Sequence, residues 1–153
     1  MLEETATERA LRVLFVEDDA DLARLARAVL RQPHFMLQCE SRLDRALAAL
    51  ESDHFDVLLL DLCLPDSAGV FTLGVACNFA RMLPIVVLTG VSDERLMRVA
   101  ADAGARRYLS KGSLEWDTLP DVLRGVIADA EFARRLAGAG AGGGLRQGSA
   151  ERT

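Results

Sequence analysis

Apolar runs and amphipathic stretches alternate five times along this chain. Leu11–Val16, Val57–Leu60 and Ile85–Leu88 are almost wholly apolar, as strands covered on both faces of a sheet are. His34 to Cys39 and Arg106 to Leu109 mix polar and apolar residues, which suits strands at sheet edges. Between the runs the apolar spacing turns helical. Leu22, Leu25, Ala26, Val29 and Leu30 form one stripe, with Asp19 placed to cap its helix. Ser41 and Asp44 have the spacing of a capping box ahead of Leu43, Leu47 and Leu50. Ser92 is the expected cap of a fourth helix carrying Leu96, Val99 and Ala100, which Gly104 ends. Leu119, Val122, Leu123, Val126 and Ile127 predict the last helix, whose first turn tolerates Pro120.

Strand runs that alternate with helices predict βαβ units and a parallel sheet. With the mixed runs at the edges, the expected fold is α/β: a flavodoxin-like, doubly wound sheet of five βα units in strand order 2-1-3-4-5. The third helix, Val70 to Met82, stands apart. It has no charged residue before Arg81 and almost no polar face, where a surface helix normally shows one. That face is read as a surface for a partner, a second copy in a homodimer included.

The ends of the strand runs carry the chemistry. Leu11–Val16 runs into Glu17, Asp18 and Asp19; Val57–Leu60 ends at Asp61; Ile85–Leu88 leads to Thr89; and Tyr108-Leu109-Ser110 leads to Lys111. Parallel strands bring these residues to one sheet edge, where open α/β sheets hold their ligands. A carboxylate closing a buried strand is costly to desolvate, so Asp61 needs a partner or a function there. Asp19 alone is read as a helix cap.

The strings Asp61-Leu-Cys-Leu-Pro-Asp-Ser-Ala-Gly69, Val86-Val-Leu-Thr-Gly90 and Tyr108-Leu-Ser-Lys-Gly112, with the acidic pair Glu17-Asp18, resemble the response-regulator receiver domain of two-component signalling. The resemblance covers roughly residues 10 to 130. The strings resemble a subgroup whose receivers often sit in front of sensor, kinase or cyclic-nucleotide output domains, while the polar tail after residue 137 makes a stand-alone, single-domain receiver the expectation. It implies that Asp61 accepts a phosphoryl group from a histidine kinase or phosphotransfer protein. Thr89 and Lys111 would assist, and Thr89 and Tyr108 would relay the change as a switch. The output would be a downstream protein target or transfer of the phosphate along a phosphorelay. Such a protein is not an enzyme in the ordinary sense, since it catalyses only its own phosphorylation and slow dephosphorylation. Three carboxylates at short range call for a cation, and Mg²⁺ suits one or two carboxylates plus waters. Asp18 and Asp61 are the expected direct ligands, Glu17 acts through water, and the resemblance adds the backbone carbonyl of Cys63.

Two positions depart from the commonest pattern. Gly112 follows Lys111 where many receivers have a cis proline. Cys63 and Val91 lie two residues beyond Asp61 and Thr89, where polar groups could orient a water; neither side chain does this well, so self-dephosphorylation is expected to be slow. An aspartate-nucleophile phosphohydrolase is the main alternative, but it needs a second acid where Cys63 stands. A phosphate-independent pseudo-receiver would have no need of Glu17, Asp18, Asp61, Thr89 and Lys111 together. A nucleotide- or flavin-binding domain of the same fold would need a phosphate-cradling loop after a strand.

Composition narrows the setting. The net charge is −5, with arginines scattered rather than massed, which disfavours direct nucleic-acid binding. No apolar run approaches the ~20 residues of a membrane span, and the acidic N-terminus lacks a signal segment. Cys39, Cys63 and Cys77 form no metal-ligand or disulfide pattern, so a reduced, cytoplasmic location is expected. The expected organisation is an extension over 1–9, a receiver domain over 10–137 and a flexible Gly-rich tail over 138–153, with no output domain attached.

Overall fold

The computed structural model describes residues 9–80, 82–90 and 93–142. Five parallel strands form the main sheet: β1 (Leu11–Val16), β2 (Phe35–Glu40), β3 (Val57–Leu60), β6 (Ile85–Thr89) and β7 (Arg107–Ser110). Their order is β2-β1-β3-β6-β7, which is the expected 2-1-3-4-5 pattern. A short hairpin, β4 (Cys63–Leu64) and β5 (Ser67–Ala68), sits in the loop after β3.

Strand periodicity explains the two layers around the sheet. Val13, Phe15, Val57, Leu59, Val86 and Leu88 point to one face and pack against α1 (Ala20–Val29) and α5 (Leu119–Gly142). Leu14, Val16, Leu58, Leu60 and Val87 alternate to the other face, under α2 (Leu43–Ser52), α3 (Gly69–Phe79) and α4 (Glu94–Asp102). β3 and β6 are buried along their whole length, while the edge strands β2 and β7 are mixed, as their sequences require.

Helix starts and faces differ in detail from the sequence reading. Asp19 caps α1, its carboxylate accepting from the N–H groups of Asp21 and Leu22. The first residue before α2 is Arg42, with no side-chain cap of its own, so Ser41 and Asp44 form no capping box. Instead Asp66, from the β4–β5 hairpin, accepts from Leu43 N at 2.9 Å and Asp44 N at 3.0 Å. Asp93 caps α4 through Arg95 N; Ser92 lies outside the described residues. Gly104 ends α4 at φ +111°, a conformation open to glycine. Leu25 and Val99 are exposed rather than buried, because Ala23 and Ala26 in α1 and Ala100 in α4 make the closest approach to the sheet. At 100° per residue, Leu25 lies well off the line through Ala23, Ala26 and Leu30. α5 continues to Gly142, through the first residues of the Gly-rich segment; residues 143–153 lie outside the described residues.

At the end of the sheet away from the strand-end acids, Asp56 is buried just ahead of β3. It receives Arg9 through two hydrogen bonds, at 2.7 and 2.9 Å, and Arg12 N at 2.8 Å. Burial alone would raise its pKa, but these donors more than reverse that and hold it below the usual carboxylate range.

Candidate functional site

β1, β3, β6 and β7 all end at the same edge, and each delivers one side chain there. Asp61 follows β3 directly, and its N–H is tied to Val16 O at 3.0 Å, so the carboxylate starts from a rigid strand end. It is 2% exposed, with Oδ1 accepting from Cys63 N at 3.1 Å and Oδ2 from Lys111 Nζ at 2.9 Å. Glu17 follows β1 and is buried as well. Its Oε1 accepts from Asp19 N at 3.1 Å, while Oε2 lies 2.6 Å from Lys111 Nζ. That Oε2 is fully enclosed, with the Lys111 ammonium as its partner. Asp18 points outward beside them, exposed to solvent.

Lys111 therefore bridges two buried carboxylates. Burial works against its charge, yet Glu17 and Asp61 together hold the ammonium above its ordinary value of 10.5. Burial also pushes the Glu17 carboxyl up to about 7, with the Asp61 charge adding to the rise and Lys111 opposing it.

Glu17, Asp18 and Asp61 present carboxylate oxygens within 4.8 Å of one another. With all three ionised, one ammonium leaves two net negative charges at a single point. A hard, oxygen-only donor set with that charge fits a divalent cation of the Mg²⁺ type.

Thr89 ends β6 at the same edge, buried, with its carbonyl accepting from Lys111 N at 2.9 Å. Tyr108 lies one turn of the pleat further back in β7, opposite Val87, and packs on the α2–α3–α4 side of the core. Burial, with Asp93 nearby, raises its hydroxyl pKa above 10.0. The Cys63 side chain is exposed while its N–H serves Asp61. Gln32–Pro33 is the cis peptide bond among the described residues, so Lys111–Gly112 is trans. Val91 lies outside the described residues.

Asp66 is the residue of this loop that the sequence reading left without a role. Hairpin pairing of Cys63 with Ala68 and Leu64 with Ser67 turns its carboxylate toward the start of α2, locking the Asp61 loop to a neighbouring helix. The signal available was an acid in a Pro-Asp turn beside a helix that lacks a cap of its own.

Comparison with known proteins agrees with this geometry. The family model described as the response regulator receiver domain matches residues 13–123. The methanogenesis regulatory protein FilR1 of Methanothrix harundinacea is 30% identical over 135 residues, covering 84% of this chain and 30% of that protein. The swarming motility regulation protein RssB of Serratia marcescens is 31% identical over 128 residues, covering 84% of this chain and 55% of that protein. The chain thus spans about half or less of the length of these curated relatives. Among solved structures, a CheY-like response regulator receiver domain protein from Methanospirillum hungatei superposes with a TM-score of 0.74 at 22% identity, covering 81% of this chain and 98% of that one. This last likeness speaks to the fold alone. Among the described residues, no helix is long and apolar enough to cross a membrane.

Proposed function

Since the chain belongs to the response regulator receiver domain family, we propose that it is a phosphorylation-dependent signalling switch whose acceptor is Asp61. The observation that carries this reading is the buried Asp61 carboxylate, fixed by Cys63 N and Lys111 Nζ at a strand end beside two further acids. An Asp61 oxygen attacks the phosphorus of a phosphohistidine from a histidine kinase or phosphotransfer protein. The new O–P bond forms as the N–P bond breaks, and its electron pair leaves with the imidazole. Lys111 is placed to release Asp61 and to meet a phosphoryl oxygen as a compact positive charge. The Thr89 hydroxyl offers a donor to another.

Glu17, Asp18 and Asp61, with the Cys63 carbonyl, would hold Mg²⁺. Bound there, it supplies charge screening between the anionic acceptor and the anionic phosphoryl group. Asp18 and Asp61 are the proposed direct ligands, and Glu17 acts through water. The acidic end of the sheet, the arginines dispersed over the helices and the receiver fold all support output through a protein target or onward phosphotransfer, without direct contact to nucleic acid. Thr89 and Tyr108 form the proposed two-state readout, a charge at one point biasing an aromatic side chain in β7. The receiver unit spans residues 10–137, and a reduced cytoplasm suits the three free cysteines.

Incubation with Mg²⁺ and phosphoramidate, followed by phosphate-affinity electrophoresis, tests the proposal. The wild type should yield a retarded band and Asp61→Asn none. The same samples should release no product from p-nitrophenyl phosphate, because the exposed Cys63 thiol stands where a phosphohydrolase keeps its second acid. Sustained turnover of that ester would replace the switch by an enzyme.

A further inference from the structure

The Asp61 carboxylate leans on a loop too small to hold its own shape. Cys63 N donates to Oδ1 at 3.1 Å, and Cys63 belongs to the β4–β5 hairpin, which has two residues in each strand. A two-stranded ribbon is marginal in water by itself, and more so at this length. The bond from Gly69 N to Leu62 O at 2.7 Å flanks the Cys63–Ala68 pair. Those two residues therefore do not bond each other, and the Cys63 N–H and carbonyl point out of the hairpin. The N–H meets Asp61 there, and the carbonyl belongs to the proposed cation site. Three sets of contacts fix this hairpin. Leu62 and Leu64, on either side of Cys63, are buried in the core under α2 and α3. The Ser67 hydroxyl lies 2.6 Å from that of Thr72, a buried residue of α3. The tip of the turn is held through Asp66, whose two oxygens accept from Leu43 N at 2.9 Å and Asp44 N at 3.0 Å.

We infer that Asp66 is a positioning residue for phosphoryl transfer at Asp61: it clamps the β4–β5 hairpin to α2 and so keeps the Cys63 backbone against the acceptor carboxylate. The role rests on the reading of Asp61 as the acceptor. Asp66 acts through Cys63 and is not placed on any reacting atom. Its bonds are of the strong kind, a carboxylate on N–H groups at the positive end of a helix. A cap serving α2 alone could sit at Arg42, the residue before the helix, where serine would do. The cap comes instead from 23 residues beyond Leu43, and its other end is the loop that holds Asp61. With the clamp released, the hairpin tip is free to swing on its buried leucines, and Asp61 Oδ1 loses a fixed donor. An error of about 1 Å at a reacting centre can cost about 10²-fold in rate, and loss of a group that orients a metal ligand costs about 10- to 100-fold.

Asp66→Ala, Arg42→Ser and the two combined, made in the full chain, separate a clamp from a plain helix cap. Three quantities are read: the initial rate of phosphorylation by phosphoramidate at saturating Mg²⁺, hydrogen exchange at the Cys63 amide in EDTA, and the urea midpoint. Asp66→Ala should slow phosphorylation by about tenfold or more and speed exchange at Cys63. Arg42→Ser alone should match the wild type in both, since Arg42 is exposed and its pair with Asp44 is a surface one. In the double variant, Arg42→Ser gives α2 a cap of its own, so the urea midpoint should recover while the slow rate and the fast Cys63 exchange remain. Recovery of all three together overturns the proposal, because Asp66 is then only a cap. So does an Asp66→Ala protein that keeps the wild-type rate and Cys63 protection. A wild type that takes up no phosphoryl group overturns the reading of Asp61 and this role with it, whereas a phosphorylated wild type equalled by Asp66→Ala overturns this role alone.

Discussion

Replacing Glu17 by glutamine isolates the cost of holding a second carboxylate beside Asp61. Burial raises the Glu17 pKa from 4.5 to about 7. At 1.36 kcal/mol per unit, that rise corresponds to about 3 kcal/mol. A raised folded-state value means that the protonated form is favoured on folding. Glu17 therefore contributes in full below 4.5, and the contribution is lost as pH rises through about 7. Glutamine has the same shape and does not titrate. In EDTA and well above neutrality, Glu17→Gln should be the more stable protein, by up to about 3 kcal/mol less whatever is lost at Lys111. Below pH 4.5 the two should agree to within about 1 kcal/mol. Mg²⁺ should narrow that gap, because binding stabilises the wild type by about 2.7 kcal/mol at a hundredfold excess over Kd, and the variant less. Urea unfolding followed by circular dichroism, at both pH values with EDTA and with Mg²⁺, measures all of this. A variant destabilised equally at both pH values in EDTA, with no response to Mg²⁺, refutes the reasoning.

Three further outcomes follow from the contacts. Asp56→Asn should lose about 1.5–3 kcal/mol at neutral pH by weakening the Arg9 grip. Because its folded pKa lies below the ordinary 3.8, that stability is present above 3.8 and lost in acid, so the gap in urea midpoints should close there; a gap that persists contradicts it. Asp66→Ala removes the cap that α2 lacks in its own sequence and should cost about 1 kcal/mol by the same assay, with faster amide exchange in the first turn of α2 as its local signature. Cys63→Asn combined with Val91→Glu should shorten the lifetime of the aspartyl phosphate by about tenfold or more, read as decay of the retarded band, and an unchanged lifetime contradicts the proposed slow water attack.

Much of this site was legible because a strand's end is visible in sequence. Three apolar runs leading to Glu17, Asp61 and Thr89, and the mixed run before Lys111, can meet only if the sheet is parallel, and the sheet is parallel. The edge positions of β2 and β7 were equally readable from their mixed composition. Long-range polar contacts were not. The cap on α2 comes from Asp66, more than twenty residues away, so a local capping box at Ser41 and Asp44 looked sufficient. Nothing local in the sequence marks Asp56 ahead of β3, and only folding brings Arg9 to it. Leu25 and Val99 misled for another reason. Hydropathy favours large side chains, whereas the helices approach the sheet on alanines.

The central claim, that Asp61 takes the phosphoryl group, is tested most directly by intact mass after incubation with Mg²⁺ and acetyl phosphate. Asp61→Asn and a sample in excess EDTA run alongside. One added phosphoryl group on the wild type with Mg²⁺, none on the variant and little in EDTA is the predicted result. A phosphoryl group on Asp61→Asn, or an unmodified wild type with both acetyl phosphate and phosphoramidate, would contradict it.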